Sequence, residues 1–355
     1  MRKLRFKRFL PLLFCVCMVT MMVPAAFAAD ASVSNYGDLV TAIANAKEGD
    51  TITLGGNIEG DVTIPSGKNI VLDLGGNTLT NTNAGEATLF VENGAVATVK
   101  NGTISGGKSH YNIAVGTEKA PGGKLTLEDI TATAGNAGSS MIDNWGTLTI
   151  ESGSYTGGLN VVKSEEDSTL VIRGGKFTLN DSVQGYTGVI LNYGTATITG
   201  GEFIQNSTGG RWNHPQVVVT GQMEGHTAAI TTITGGTFTQ NKSSDDIFHG
   251  LAAATSNNFE VSGGTFNKLV KSSFLSDGLV CKKDSATNTY TLVTGATGVT
   301  LSESEITIKV GESIKLEATL TPEDAELKSV TWKTGSKKIA TVTNGVVKGV
   351  AIGDV

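Results

Sequence analysis

The chain has 355 residues and a formal net charge of −6, and it combines 46 glycines with 6 prolines, 3 cysteines and 6% aromatic residues. The glycine share is nearly twice the usual one of about 7%, while the charged fraction of 17% is below the roughly 25% typical of soluble domains. Collagen is excluded because glycine does not recur at every third position, and an apolar fraction of 39% is too high for a disordered chain. These numbers disfavour a helical bundle and predict an all-β protein.

The N-terminus predicts a secretory signal peptide over residues 1–28. The first eight positions contain five basic residues and no acidic residue. An apolar run follows from Phe9 to Val23, and Ala26-Phe27-Ala28 is typical of a cleavage site. A retained membrane anchor is the alternative, but the run is shorter than the roughly 20 apolar residues that span a bilayer. We therefore expect cleavage after Ala28, export, and no membrane insertion of the mature protein.

Cleavage changes the charge and the cysteine content of the mature chain. The number of Lys and Arg residues falls from 27 to 22 against 33 acidic residues, so the net charge becomes −11. We expect no nucleic acid and no anionic membrane as a partner, because neither attracts so acidic a chain. Only Cys281 remains after cleavage, so no intramolecular disulfide can form.

A short amphipathic helix is predicted from Tyr36 to Ala46. Leu39, Val40 and Ile43 recur there at helical spacing. Because the helix precedes a repetitive β region, we expect it to cover the open end of that region and to prevent end-to-end aggregation.

Self-similarity is the strongest signal in the mature chain. Five copies of a strand, a glycine-rich turn and an aromatic residue end at Tyr155, Phe177, Phe203, Phe238 and Phe266. Apolar and polar residues alternate within each copy, which predicts a strand with one buried face. The buried phase contains Ile150, Ile172, Ile198, Ile233 and Val261, and the solvent phase contains Lys100, Glu128, Glu151, Arg173, Thr199, Thr234 and Ser262.

Units of this size cannot bury their apolar faces alone, but successive coils stacked on each other can. The repeats therefore predict a parallel β-helix of about ten coils. After Phe266 the repeat ends, and Asp277–Val293 predicts a closing hairpin. The predicted domains are thus a β-helix with its N-terminal helix over residues 29–293, a linker over 294–298, and a second domain over 299–355, where Lys and Glu become common.

The β-helix segment resembles a known family at its start. N-Y-G-D-L-V-T-A-I-A-N-A-K-E-G-D-T-I-T-L at residues 35–54 and I-V-L-D-L-G-G-N-T-L-T at residues 70–80 are similar to the pectate-lyase-like right-handed parallel β-helix proteins of bacterial surfaces. The resemblance implies the fold but little of the chemistry, because that fold hosts lyases, hydrolases, adhesins and autotransporter passengers.

The second domain resembles a bacterial Ig-like domain of group 2. The resemblance rests on I-T-I-K-V-G-E-S, S-V-T-W-K-T and N-G-V-V-K-G-V-A-I-G, and it implies a β-sandwich with turns at Gly311 and Asn344-Gly345. Leu301, Val330 and Trp332 are expected to point inward. The sequence stops where the family continues with a last strand, so we expect an incomplete sandwich and a surface attachment further downstream.

The solvent phase of the repeats predicts no catalytic site. Lyases of this fold bind Ca²⁺ through stacked carboxylates, and Ca²⁺ needs six to eight oxygen ligands. The aligned charges here are few, and Glu151 with Arg173 is more simply an exposed ion pair between neighbouring coils. We expect no metal and no other cofactor.

Two further catalytic sets are disfavoured. Asp245, Asp246 and His249 superficially resemble the Asp and His set of polygalacturonase-type hydrolases. Adjacent carboxylates in a strand point to opposite faces and cannot flank one glycosidic bond, so a polar loop is expected. The four histidines show neither metal-ligand spacing nor a nucleophile motif.

The long gap between Phe203 and Phe238 contains the candidate ligand-binding residues. They combine an aromatic ring with planar donors that could stack on a sugar and hydrogen-bond to it, on a loop carried by a rigid scaffold. The alternative is that the tryptophan only packs the loop onto the coil below. The candidate residues are Arg211, Trp212, Asn213 and His214.

We therefore expect a secreted, monomeric bacterial cell-surface protein with a non-catalytic role in adhesion or recognition. Its expected partner is an extracellular polysaccharide or a host surface glycan or protein. The alternatives are a polysaccharide lyase or glycoside hydrolase of the pectate-lyase-like fold, and a purely structural surface stalk.

Overall fold

The computed structural model describes residues 31–81, 83, 85–106, 111–134, 138–180, 188–207, 215–221, 229–241, 246–250 and 258–355. The predicted signal peptide and the candidate residues Arg211, Trp212, Asn213 and His214 lie outside these ranges. Within them, no helix is both long enough and apolar enough to cross a membrane.

The N-terminal helix α1 (Tyr36–Asn45) is capped at both ends. The side-chain oxygen of Asn35 accepts a hydrogen bond from the backbone N–H of Asp38 at 2.9 Å, and the Asn35 amide donates to the Asp38 carboxylate at 2.7 Å. At the other end, Lys68 Nζ donates to the carbonyls of Ala44 and Ala46 at 2.6 and 2.8 Å. These contacts satisfy one N–H at the N-terminus of the helix and two carbonyls at its C-terminal end.

Helix α1 packs on the first coil as predicted, although through a narrower stripe. Leu39 and Ile43 are buried, whereas Val40 is 44% exposed. Strand β1 (Ala31–Val33) precedes the helix and pairs in parallel with β2 (Thr51–Leu54), so the first strand edge of the β-helix is covered.

The β-helix consists of three parallel ladders, and each coil contributes one segment to each ladder. The first ladder contains β2, β5 (Asn69–Asp73), the N-terminal parts of β8 (Val96–Gly106) and β10 (Lys124–Ala134), β12 (Thr147–Ile150), β15 (Thr169–Ile172), β18 (Thr195–Ile198), β21 (Ile230–Ile233) and β24 (Phe259–Val261). The second ladder contains β3 (Ile58–Glu59), β6 (Thr78–Asn81), the C-terminal parts of β8 and β10, β13 (Gly153–Thr156), β16 (Lys176–Leu179), β19 (Glu202–Gln205), β22 (Thr237–Gln240) and β25 (Thr265–Phe266).

The third ladder forms a separate 8-stranded sheet. Its strands are β4 (Val62–Ile64), β7 (Leu89–Val91), β9 (Ile113–Val115), β11 (Ile142–Asn144), β14 (Val162–Ser164), β17 (Ile190–Asn192), β20 (Val218–Thr220) and β23 (Phe248–Gly250). Eight coils therefore carry all three strands, and β24 and β25 begin a further one. The sequence indicated only two strands per coil, because strands of three residues are too short to show a period of two.

The predicted phase of the repeats is confirmed. Ile150, Ile172, Ile198, Ile233 and Val261 are fully buried, and the neighbouring residues of the solvent phase face outward. The aromatic residues that end the copies form a continuous stack in the core, with ring centroids 4.8–5.4 Å apart from Tyr155 through Phe177, Phe203 and Phe238 to Phe266. From Phe177 onward, each coil thus places one ring on the ring of the coil before it.

The paired glycines have separate roles, which Gly200 and Gly201 illustrate. A Cβ at Gly200 would lie 2.4 Å from the carbonyl oxygen of Arg173 on the preceding coil, so only glycine allows the coils to approach this closely. Gly201 has a φ of +105°, which side chains disfavour. The same two features recur at Gly174-Gly175, Gly235-Gly236 and Gly263-Gly264.

Buried amides satisfy the backbone at the corner between the third ladder and the next coil. Asn192 Nδ2 donates to the carbonyl of Ile230 at 2.9 Å, and its Oδ1 accepts from the N–H of Gly194 at 3.0 Å. Asn144 makes the corresponding pair of contacts two coils earlier. Because a buried backbone group without a partner is costly, these amides hold the corner in place.

The C-terminal region begins with the predicted closing hairpin, formed by β26 (Leu279–Asp284) and β27 (Thr289–Thr294). Two small antiparallel sheets follow. They are β28 (Gly298–Leu301) with β30 (Ala318–Thr321), and β29 (Ser313–Lys315) with β32 (Val346–Gly349) and β31 (Ala340–Thr343). The turns at Gly311 and Asn344-Gly345 have the positive φ values expected of them.

Leu301 and Val330, which were expected to point inward, are not fully buried, since they are 47% and 38% exposed. The two small sheets do not close over one another. They leave an open cavity of about 660 Å³ lined by Leu301, Ile308, Trp332 and Val347 among others. Apolar side chains at its rim therefore remain in contact with solvent.

Candidate functional site

The candidate site lies on the outer face of the third ladder. The middle residues of successive strands form an outward column in register, and the residues two positions later form a second column beside it. The first column contains Ala114, Asp143, Lys163, Leu191 and Val219, and the second contains Trp145, Glu165 and Tyr193. We call Tyr111, Asp143, Trp145, Lys163 and Glu165 the third-ladder site.

Asp143 is the least expected residue of this site, because it is a carboxyl that is only 4% exposed. Its Oδ2 accepts a hydrogen bond from Trp145 Nε1 at 2.9 Å. Its Oδ1 has no hydrogen-bond donor among the described residues. Burial and then the charge of Glu165 raise the pKa of Asp143 to about 7, against the opposing effects of Lys163 and Trp145. Burial thus favours the protonated form of Asp143 at pH values where an ordinary aspartate is already ionised.

Lys163 is the cation of the site. It lies opposite Asp143 on the neighbouring strand, forms an ion pair with Glu165, and places its ammonium 5.8 Å from the ring centroid of Tyr193. Its side chain is 28% exposed, whereas Glu165 is buried. The Lys163 ammonium is therefore held by Glu165 and Tyr193, while part of the lysine side chain reaches the surface.

Tyr111 extends the site toward the preceding coil. Burial first, and then the charges of Asp143 and Glu165, raise the pKa of its phenol to about 12. The phenol therefore stays protonated at physiological pH. Tyr111 and Trp145 are both half-buried, so parts of both side chains belong to the outer surface.

The next two coils continue this face with apolar residues. Leu191, Tyr193 and Val219 form a small buried cluster that is separate from the main core. Outward-facing residues of a β-helix are normally polar and exposed. The burial of these three residues therefore shows that this part of the outer face is not simply exposed to solvent.

The outward charges of the other ladders form simple pairs. Arg173 and Glu151 form the predicted ion pair, and Lys176 pairs with Glu202 at 3.0 Å. Asp246 pairs with Lys271 at 2.6 Å. In the described parts of the chain no group of three or more His, Cys, Asp or Glu residues could hold a metal ion.

The sequence prediction missed the third-ladder site. A weak signal was available, because Asn144-Trp145-Gly146 and Asn192-Tyr193-Gly194 repeat an Asn, aromatic, Gly triplet after an apolar strand. The asparagine is the buried corner amide described above, and the aromatic residue points outward. The triplet thus marks the coils on either side of the one that carries Lys163 and Glu165.

The fold defines an all-β protein in which a parallel β-helix precedes an Ig-like module. Residues 295–355 match the family described as bacterial Ig-like domain (group 2), whose members occur in bacterial surface proteins. Among solved structures, an alginate lyase from Paenibacillus sp. str. FPU-7 is similar, with 12% sequence identity and a TM-score of 0.43 over 67% of this chain and 95% of that one. No curated protein sequence matches the chain.

The expectation that the protein is not an enzyme is contradicted, because the similar structure is that of an alginate lyase. At 12% identity and a TM-score of 0.43, this similarity assigns neither an activity nor a catalytic residue to this chain.

Proposed function

We propose that the protein is exported, stays at the bacterial cell surface, and binds an extracellular polysaccharide through the third-ladder site. The observation that carries the proposal is the arrangement of Trp145, Tyr111 and Lys163 at the surface above two buried carboxyls. The Ig-like module supports the surface location, since this family occurs in bacterial surface proteins.

The groups at the site suit a sugar ring. Aromatic side chains offer an apolar face with a polar edge, and sites for small ligands combine such faces with a few fixed polar groups. The Lys163 ammonium has three donors, of which the ion pair with Glu165 uses one, so others can reach sugar hydroxyls. Trp145 Nε1 donates a hydrogen bond to Asp143 Oδ2 at 2.9 Å, and this bond restricts the orientation of the indole ring.

Affinity electrophoresis of the intact chain in gels that contain different soluble polysaccharides tests this function. At least one polysaccharide should retard the protein, and Trp145→Ala should weaken the retardation about tenfold, as expected for a loss of 1–2 kcal/mol at a central contact. Trp332→Ala is the matched control, because Trp332 lines the cavity of the Ig-like module instead. Equal retardation of Trp145→Ala and wild type would contradict the assignment of the site.

The predicted loop residues remain a separate proposal. Arg211, Trp212, Asn213 and His214 precede β20 in the sequence, and β20 belongs to the third ladder. We propose that they add to the contact with the same polysaccharide, with the planar donors of Arg211 and Asn213 hydrogen-bonding to sugar hydroxyls. In the gel assay, Trp212→Ala should then reduce retardation, and the Trp145→Ala/Trp212→Ala double variant should bind less than either single variant.

A second candidate function is cleavage of the bound polysaccharide by acid–base chemistry. One observation favours it, since Asp143 has a pKa raised to about 7, lies opposite Lys163 on the neighbouring strand, and by its charge raises the pKa of Tyr111. Incubation with a panel of polysaccharides should then release new reducing ends or unsaturated products, and Asp143→Asn should abolish the release. Retardation in the gel without any product would leave binding as the function.

A further inference from the structure

The charges of the third-ladder site restrict the class of polysaccharide that it can accept. Lys163 is the cation of the site, and it is already paired with Glu165. Asp143 lies opposite Lys163 on the next strand and adds either no charge or one negative charge. The sum over these three groups is therefore zero or −1, and the five described residues of the site offer no uncompensated positive charge.

A polyuronate presents a carboxylate on every sugar unit, and proteins recognise such groups with free Arg or Lys side chains, often in a bidentate manner. Arg173, the arginine within the described residues, lies on the first ladder and is paired with Glu151. The mature chain as a whole is acidic, so long-range electrostatics also repel a polyanion. Bringing a uronate carboxylate next to Glu165 and Asp143 would place like charges together in a partly buried place.

We infer that the ligand of the third-ladder site is a neutral polysaccharide, not a polyuronate, because Lys163, the lysine of that site, is neutralised by the buried carboxyl of Glu165 beside it. The inference rests on the proposed function and specifies its substrate class. A neutral sugar requires only aromatic surfaces and a hydrogen-bond donor, and the site provides both. Its C–H face can lie against the Trp145 and Tyr111 rings, and its hydroxyls can accept from Lys163.

A variant that frees the lysine tests the charge argument. Glu165→Gln removes the paired carboxylate and keeps the size of the side chain, so the site gains one positive charge. Wild type should be retarded by a neutral polymer, such as glucomannan, xyloglucan or a soluble β-glucan, and not by polygalacturonate or alginate. Glu165→Gln should increase retardation by the uronates by about tenfold while changing that by the neutral polymer about threefold or less. Glu202→Gln is the matched control, since it frees Lys176 on the second ladder instead.

The outcomes separate the inference from the function on which it rests. Retardation of wild type by a uronate or by a cationic amino-sugar polymer, as strong as that by any neutral polymer, would overturn the neutral class while polysaccharide binding stands. An equal gain in uronate binding by Glu202→Gln would overturn the role of Glu165. If no polymer retards wild type, both proposals fail. Circular dichroism of each variant confirms that the β-helix is intact.

Discussion

Truncation of Phe203 in the aromatic stack should be among the most destabilising changes in the β-helix. The side chain is fully buried, and its ring lies 4.9 Å from that of Phe177 and 4.8 Å from that of Phe238, nearly parallel to both. Replacing a buried Phe by Ala costs about 3–5 kcal/mol, because apolar burial is lost and a cavity remains. Each coil contacts mainly its neighbours, so the cavity interrupts the stack between the two halves of the solenoid.

A second substitution separates stacking from burial. Phe203→Leu keeps most of the apolar volume and removes two ring pairs, each worth about 0.5–1.5 kcal/mol beyond burial, so its cost should be about 1–3 kcal/mol. Thr178→Ala is the matched control on the adjacent strand of the second ladder, where the side chain points outward, and it should change stability by less than about 0.5 kcal/mol.

Urea unfolding of the full chain, followed by far-ultraviolet circular dichroism, measures these differences as shifts of the midpoint at constant slope. The expected order of stability is wild type and Thr178→Ala, then Phe203→Leu, then Phe203→Ala. The reasoning is refuted if Phe203→Ala costs less than about 1 kcal/mol, or if Phe203→Leu is as stable as wild type.

Three further predictions use the same unfolding assay. Burial raises the pKa of Asp143 to about 7, above its unfolded value of about 3.9, so its contribution to stability is present below pH 4 and is lost as the pH rises toward 7. Asp143→Asn should therefore reduce the loss of stability between pH 5 and pH 8 by on the order of 1–3 kcal/mol, and an unchanged pH profile would contradict the raised pKa. Gly200→Ala should cost at least about 2 kcal/mol because its Cβ meets a carbonyl of the preceding coil, whereas Gly67→Ala, with φ +81° and open space around it, should cost about 1 kcal/mol; equal costs would refute the close approach of the coils. Asn192→Ala leaves the partly buried carbonyl of Ile230 without this donor and the buried N–H of Gly194 without this acceptor, and it should cost about 1–3 kcal/mol; a neutral effect would show that the corner amide is dispensable.

The sequence by itself determined the repeat, its buried phase and the identity of the two modules. The alternation of Ile150 with Glu151 and its recurrence at Ile172 with Arg173 predicted which side chains enter the core, because the period of a strand is local information. The Gly-Gly steps indicated where each coil turns. The helix over residues 36–45 and its place at the end of the β-helix were likewise readable from spacing and order.

Only the tertiary structure decided where the chemistry lies. The third-ladder strands have three residues each, so neither their existence nor their outward face could be detected from a period. Asp143 lies on one coil and the Lys163–Glu165 pair lies on the next, so their proximity depends on the register in which the coils stack. The raised pKa of Asp143 depends in turn on burial, which is a property of the assembled face. A local pattern can specify a strand, but a site made by stacking strands exists only once the distance between coils is fixed.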